Sequence, residues 1–580
     1  KTIDRIITEA CSLAVGEILP TRQTGDEEGC SYENRKVKVP ESFHNAYDTL
    51  KQGGWLGLNE NEKWGGEGIP GTIAAAANEY FIGANNALMM YPILTHNVGK
   101  LIETFGTEEQ KELFLERMYS GEWTGAMLLT EPGAGSDFGA VTTMAAKIGD
   151  NTYSITGEKI FISAGDHDLA PNIIYAVVAR MENAPPGMAG LSVFIVPKVW
   201  SGADGGPGRF NNVTCAGLEK KMGLHGNATC SMMLGEKGIC RGMLLGEPGV
   251  AMNAISFLLD EARIMVGMQG LGYASSADLH ALEHAVTRFQ GRNLLKMLDI
   301  HAPPAPIIQH PDVRGDLLWM KAHVEGIRSL MYYVAYCRDR ISCEDDSEAK
   351  DRYRGLVDLL IPIVKGYVTD VAFEVCHRSI GIFGGYGYIK GNPAEQLLRD
   401  CRASLIYEGT NGIQAMDLLG RRLRIKMGEP MRYLFEEIQQ TIEGVKGISH
   451  LGRIALKTET AVQRLDQAIK QISAAAVSPR LMTAFAFARP LMEVFGDVIL
   501  SWMLLWRARA ADEKLKSIGK NYGDIREKAE KNRKTAFYYG QIKTAEYFSH
   551  VILPVPLGKM DAILEMNDSA IDMPELSFGG

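Results

Sequence analysis

The sequence predicts an α+β fold, mostly α: a helical N-terminal domain (1–125), a small antiparallel β middle domain (126–245), a helical-bundle domain (246–429) and an extra C-terminal helical domain (430–580). Three observations predict it. Apolar residues recur at helical spacing towards both ends of the chain, while between Ala126 and Leu245 they fall into short runs rich in β-branched residues. At 580 residues the chain also exceeds what one core supports.

In order, residues 1–125 mix helical periodicity with glycine joints. Gly53-Gly54-Trp55-Leu56-Gly57 and Trp64-Gly65-Gly66-Glu67-Gly68-Ile69-Pro70-Gly71 read as turns, because so many glycines weaken helix and strand alike. Residues 74–105 read as helices, and Thr107-Glu108-Glu109-Gln110 is a capping box opening another. Strands are expected at 140–144, 152–155, 173–178 and 191–196, with turns such as Gly149-Asp150-Asn151 between them. Helices resume after Gly249, at 251–271, 275–289, 311–342 and 355–383, and apolar stripes continue through 434–448, 465–472 and 481–505.

Composition narrows the function classes. With 46% hydrophobic and 23% charged residues the chain reads as an ordinary globular protein, and a net charge of -9 argues against a nucleic-acid partner. Nine scattered cysteines without a Cys-x-x-Cys pair suggest reduced thiols in a cytoplasmic compartment, and no metal site. The first residues show no basic-then-apolar signal, and the apolar stretch 498–506 is too short to span a bilayer, leaving peripheral membrane contact at most.

The candidate chemistry lies in Arg402-Ala403-Ser404-Leu405-Ile406-Tyr407-Glu408-Gly409-Thr410-Asn411-Gly412-Ile413-Gln414. Glu408 stands between an apolar run and a glycine-rich turn. A carboxyl ionises in water near ~4.3, and burial behind Leu405, Ile406 and Tyr407 would raise that value towards the range where a general base works best. The plain alternative is that Glu408 caps the next helix, since Ile413, Met416 and Leu419 recur at helical spacing.

Tyr407-Glu408-Gly409-Thr410 resembles the motif that carries the base in the acyl-CoA dehydrogenase family. Three more segments match in that family's order: Leu129-Thr130-Glu131-Pro132-Gly133-Ala134-Gly135-Ser136-Asp137, Asp260-Glu261-Ala262-Arg263 and Gly384-Gly385-Tyr386-Gly387-Tyr388. The resemblance covers most of residues 40–425, and the C-terminal block resembles the extension of the larger, dimeric members. Two glycine strings, from Gly133 and from Gly385, superficially suggest a dinucleotide fold, but neither follows a strand within a βαβ unit.

The resemblance implies FAD as cofactor and an acyl-CoA thioester as substrate. Glu408 would take the α-proton, with flavin N5 accepting the β-hydrogen as hydride, to give a trans α,β double bond. Electrons would pass to an electron-transfer flavoprotein. It further implies that Leu129, Thr130, Ser136, Phe161, Ser163, Arg288, Gly384, Gly385 and Thr410 bind the cofactor. Ser136, Asp260, Arg263, Tyr407 and Gly409 would meet the substrate. Phe161 stands where relatives often carry Trp; on burial alone it could equally be a strand core residue. Asp260 and Arg263, three apart, could also be a helix ion pair. Gly381 departs from the usual glutamine, and Met90 and Tyr91 either limit the acyl chain or are plain core.

Two rival readings share much of this. One is an acyl-CoA oxidase that uses oxygen. The other is a nucleic-acid-binding flavoprotein, prompted by Arg421-Arg422-Leu423-Arg424-Ile425-Lys426 and the basic run 514–534.

Overall fold

The computed structural model describes residues 2–200, 208–246, 251–518 and 522–579. The chain divides into two compact units, Lys1–Gly272 and Tyr273–Gly580.

The first unit opens with helices α1 (Thr2–Leu13), α2 (Pro20–Glu28), α3 (Glu41–Gln52), α4 (Gly71–Phe105) and α5 (Glu108–Tyr119). The capping box forms at α5: Thr107 Oγ1 accepts from Gln110 N at 3.3 Å, and Gln110 Oε1 accepts from Thr107 N at 3.1 Å. This region also contains a hairpin that its periodicity does not announce, β1 (Ser31–Glu33) with β2 (Lys36–Lys38). Asn34 and Arg35 turn it with φ of 52° and 62°, the left-handed pair that suits the twist of a tight hairpin.

The middle region is a sheet of β3 (Thr124–Leu128), β4 (Met144–Lys147), β5 (Thr152–Ser163), β6 (Ile173–Met181), β7 (Leu191–Pro197), β10 (Val213–Leu218), β11 (Thr229–Leu234) and β12 (Arg241–Leu244). A separate ribbon pairs β8 (Val199–Trp200) with β9 (Arg209–Phe210). Most ladders are antiparallel, as expected, but β6 runs parallel to β3 and to β4, so the sheet is mixed. β6 is buried along Ile173 to Ala179 without alternation, as a central strand must be when both faces are covered. The strand expected at 140–144 starts only at Met144. The backbone N–H groups of Thr142 and Thr143 bond to the Glu131 carboxylate and so have no ladder to join.

The break expected between 271 and 275 is absent: α6 (Ala251–Thr287) runs through it. A Cβ on Gly272 would stand 2.5 Å from Ile82 Cγ2 and 3.0 Å from Gly83 N, so this glycine lets α6 approach α4 and is no turn. The join expected at 245/246 abuts residues 247–250, which lie outside the described residues.

In the second unit a hairpin of β13 (Phe289–Arg292) and β14 (Pro304–Pro306) precedes α7 (Pro311–Cys343) and α8 (Ser347–Pro362). A π-helical turn, Ile363–Tyr367, then leads into α9 (Val368–Phe383), α10 (Pro393–Arg402) and α11 (Asn411–Gly420). The extension adds α12 (Glu429–Lys446), α13 (Ser449–Ala475), α14 (Leu481–Ala486), α15 (Ala488–Leu515), α16 (Tyr522–Ala529), α17 (Arg533–Tyr547) and α18 (Pro554–Glu565).

The apolar stretch of α15 is interior: residues 498–505 are all buried, and the Trp502 indole donates to Thr441 Oγ1 at 2.9 Å. Its hydrophobicity therefore reflects a helix covered on every side rather than a membrane-facing surface. Among the described residues no helix is long and apolar enough to cross a membrane. The basic stretches are engaged internally as well. Arg422 is 1% exposed and lies 3.0 Å from Asp417, and Lys426 pairs with Asp351 at 3.0 Å. In the run 514–534, Lys516 pairs with Asp512 and Lys531 with Glu527, while 519–521 lie outside the described residues.

Asp497 on α15 accepts from the Tyr367 hydroxyl at 2.7 Å. Burial pushes its carboxyl from 3.8 up to about 6, with Glu493 adding to the rise and Tyr367 and Lys559 opposing it. Between those values the folded chain holds more protons than the unfolded one, so this group removes stability as pH rises through the window. Asp497→Asn, which keeps the acceptor, is expected to unfold at higher temperature than wild type above pH 6, with the gap closing below 3.8. Equal melting curves at both ends of that range would sink the assignment.

Candidate active site

In the first unit the candidate loop leaves the sheet at the end of β3. Leu129 is buried, Thr130 is half-buried with its carbonyl accepting from Ile160 N at 2.9 Å, and Ser136 is exposed further along the loop. Two residues that sequence reasoning passed over hold this loop in shape. The Lys159 ammonium donates to Leu129 O at 3.0 Å, Val178 O at 2.8 Å and Glu131 Oε1 at 2.8 Å, with Lys159 wholly buried. Glu131 also accepts from both the backbone and the hydroxyl of Thr142 and of Thr143, at 2.6–3.0 Å.

Burial alone would raise the Glu131 carboxyl, but the hydrogen bonds from Lys159, Thr142 and Thr143 hold it down at about 2. Burial pulls the Lys159 ammonium down to about 8, against the attraction of Glu131. At neutral pH the pair is therefore a buried carboxylate and ammonium, each kept charged by the other.

Phe161 is no core residue. It is 60% exposed and left-handed, with φ of 59°. On β11, Cys230 faces Ile162 and Met232 faces Lys159, so Ile160 and Phe161 together oppose the single residue Ser231. That is a β-bulge, which re-aims a side chain out of the pleat and stores strain of ~1–3 kcal/mol at a non-glycine left-handed residue. Ser163, two positions on, pairs with Thr229 and is half-buried. Asp260 and Arg263 form the intrahelical ion pair at 3.1 Å. Met90 and Tyr91 are buried, and the Tyr91 hydroxyl donates to Gly226 O at 3.1 Å and accepts from Ala228 N at 3.0 Å, so both side chains pack as core.

In the second unit, α10 ends at Arg402 and a short turn leads to Tyr407, Glu408, Gly409 and Thr410 in succession. Glu408 and Gly409 are both left-handed, with φ of 56° and 85°. Glu408 does not cap the next helix. That task falls to Thr410, whose Oγ1 accepts from Ile413 N at 3.3 Å at the start of α11. Thr410, expected on the cofactor, thus has a structural use. Burial first, then the neighbouring Cys401, Glu408 and Asp400, raise the Tyr407 phenol well above its ordinary value, so it remains a neutral donor beside the carboxylate.

Also in this unit, the Arg288 guanidinium lies 5.6 Å from the Tyr386 ring centroid. Gly384 has φ of 62°, and a Cβ on Gly384 or Gly385 would meet nothing within 4 Å. An exposed glycine turn beside an arginine fork fits a diphosphate, and an exposed Phe161 fits a flat ring system. No cluster of three or more His, Cys, Asp or Glu able to hold a metal occurs among the described residues. A cavity of about 580 Å³ opens elsewhere in the first unit, beside Cys30 and Lys221, and none of the candidate residues lines it.

Four family models match the chain in order: the acyl-CoA dehydrogenase N-terminal domain over 7–122, the middle domain over 126–236, the C-terminal domain over 252–423, and the acetyl-CoA dehydrogenase C-terminal-like domain over 434–574. The chain is 34% identical over 571 residues to a butyryl-CoA dehydrogenase of Syntrophomonas wolfei, covering 97% of this chain and 91% of that protein. It is 33% identical over 591 residues to the broad-specificity linear acyl-CoA dehydrogenase FadE5 of Mycobacterium tuberculosis, covering 99% and 94%. Its fold matches that of the FAD-complexed acyl-CoA dehydrogenase of Bacillus anthracis with a TM-score of 0.75 at 21% identity, over 99% of this chain and 89% of that one. Helical, β and helical regions in this order, followed by a helical extension, define an FAD-dependent oxidoreductase. The chain belongs to the acyl-CoA dehydrogenase family.

Proposed function

We propose that this chain oxidises straight-chain acyl-CoA esters to their trans α,β-unsaturated products, with Glu408 as the base. The observation that carries the proposal is the left-handed turn that presents Glu408 between a neutral Tyr407 phenol and Gly409. The names of the relatives, a butyryl-CoA and a broad-specificity linear acyl-CoA dehydrogenase, support unbranched chains.

FAD, when bound, supplies the two-electron acceptor for the β-hydrogen. Leu129, Thr130, Phe161 and Ser163 would hold its ring system; Arg288, Gly384 and Gly385 would hold its diphosphate. Ser136, Asp260 and Arg263 would meet the CoA arm, Arg263 keeping Asp260 as its ion-pair partner. The backbone N–H of Glu408 would donate to the thioester carbonyl, making the α-proton acidic, and the Glu408 carboxylate would remove it. An electron-transfer flavoprotein as acceptor, a homodimer as the assembly and a cytoplasmic location complete the reading.

The rival oxidase separates cleanly. In air with an acyl-CoA that reduces the flavin, hydrogen peroxide should form much more slowly than turnover with electron-transfer flavoprotein. Peroxide formation at the full turnover rate would make the oxidase the better reading.

A further inference from the structure

We propose that Lys365 is a positioning residue for the base: its buried ammonium clamps the turn that carries Glu408, and α15 of the C-terminal extension props the helix turn from which it reaches. The inference rests on Glu408 being the base.

Lys365 is 0% exposed and belongs to the π-helical turn Ile363–Tyr367, in the apolar run Ile361-Pro362-Ile363-Val364. An ammonium placed there loses its water, a cost that packing alone would not require, since a methionine would fill the same space. The charge is spent on the catalytic turn. Nζ donates to Gly409 O at 2.5 Å and to Asn411 Oδ1 at 2.8 Å. Asn411 in turn donates from Nδ2 to Gly366 O at 3.0 Å, Thr369 Oγ1 at 3.0 Å and Asp370 Oδ1 at 2.9 Å. Glu408 is bracketed by these anchors: Gln414 Nε2 reaches its carbonyl at 3.4 Å on one side, and the Gly409 carbonyl is held by Lys365 on the other. A glutamate at φ of 56° stays there only when its surroundings over-determine it.

The extension supports the same turn from beneath. A Cβ on Gly366 would lie 2.5 Å from Met492 Sδ, Tyr367 donates to Asp497 at 2.7 Å, and Arg489 pairs with Asp370 at 3.4 Å. Met492, Asp497 and Arg489 all belong to α15, so residues of the extension bear directly on the turn behind the base. A π-turn, an inserted residue within a helix, is a common device for aiming one side chain at a site.

The test is the rate of flavin reduction per bound FAD in anaerobic single turnovers, which does not depend on the fraction of protein folded. Lys365→Met should slow it by roughly 10- to 100-fold while leaving the dissociation constant for the acyl-CoA within about twofold, the signature of a misplaced reacting group. Ile472→Ala, a core truncation on α13, should lower the melting temperature yet reduce at the wild-type rate per flavin. If Lys365→Met does not fold, Asn411→Ala, which leaves the lysine in place, should slow reduction in the same direction. Wild-type rates in the Lys365 or Asn411 variant, or equal slowing in Ile472→Ala, overturn the inference. Glu408→Gln run alongside separates the two levels: if it too reduces at the wild-type rate the base assignment has failed, whereas if it is slow and Lys365→Met is fast only the positioning inference has.

Discussion

Glu408→Gln is expected to cut the rate of flavin reduction by about 10²–10⁴-fold, the usual contribution of a positioned general base. At ~1.36 kcal/mol per factor of ten this is a loss of about 3–5 kcal/mol of transition-state stabilisation. Glutamine keeps the volume and the backbone N–H, so the turn at φ of 56° has no new reason to move and FAD should be retained at wild-type stoichiometry. What disappears is the capacity to accept a proton. The loss should therefore fall on the rate constant rather than on acyl-CoA binding, and stopped-flow reduction separates the two. A variant that loses FAD along with activity would mean that Glu408 is structural.

The second large effect is expected at Lys159→Met. The Glu131 carboxylate would then be buried without its cation, and removing one partner of a buried pair costs roughly 3–5 kcal/mol. Chemical denaturation with unchanged slope should report this as a lower midpoint. Lys159 also holds the Leu129 and Val178 carbonyls, so the loop 129–143 should loosen and the protein should release FAD more readily. The double variant Lys159→Met, Glu131→Leu removes the stranded charge and should recover much of the stability, since apolar replacements of buried pairs are often close to neutral. It should not recover FAD retention, because Thr142 and Thr143 lose the carboxylate that positions them. If the double variant regains both, Glu131 and Lys159 only stabilise the β domain.

Local chemistry made much of this molecule readable from its residues. The capping box at Thr107 and the apolar run of β6 each depend on neighbours a few positions apart, whereas Glu408 stands out through the resemblance of Tyr407-Glu408-Gly409-Thr410 to a family motif, its local setting alone also fitting a helix cap. Features set by distant partners were not readable in this way. Whether 140–143 forms a strand depends on a carboxylate at Glu131, and Phe161 turns outward only because β5 carries one more residue than β11 across the bulge. The break expected between 271 and 275 gives way to a continuous helix whose Gly272 packs against Ile82 and Gly83. Lys159 and Lys365 take their roles from carbonyls and side chains distant in the chain, which no local pattern shows. Only the charge of Lys365 stands out locally, a cation within five residues otherwise free of polar side chains except the Tyr367 hydroxyl. Thr410 shows the converse: beside its expected place on the cofactor, its hydroxyl has a local use, capping α11 three residues on.

That this chain takes electrons from an acyl-CoA through FAD is tested most directly by an anaerobic titration of the purified holoprotein with butyryl-CoA and longer linear esters. At least one ester should bleach the oxidised flavin absorbance within the mixing time of a manual experiment and yield the enoyl-CoA in equal amount. A protein that binds FAD yet stays yellow with every linear ester, or one that binds no FAD at all, would contradict it.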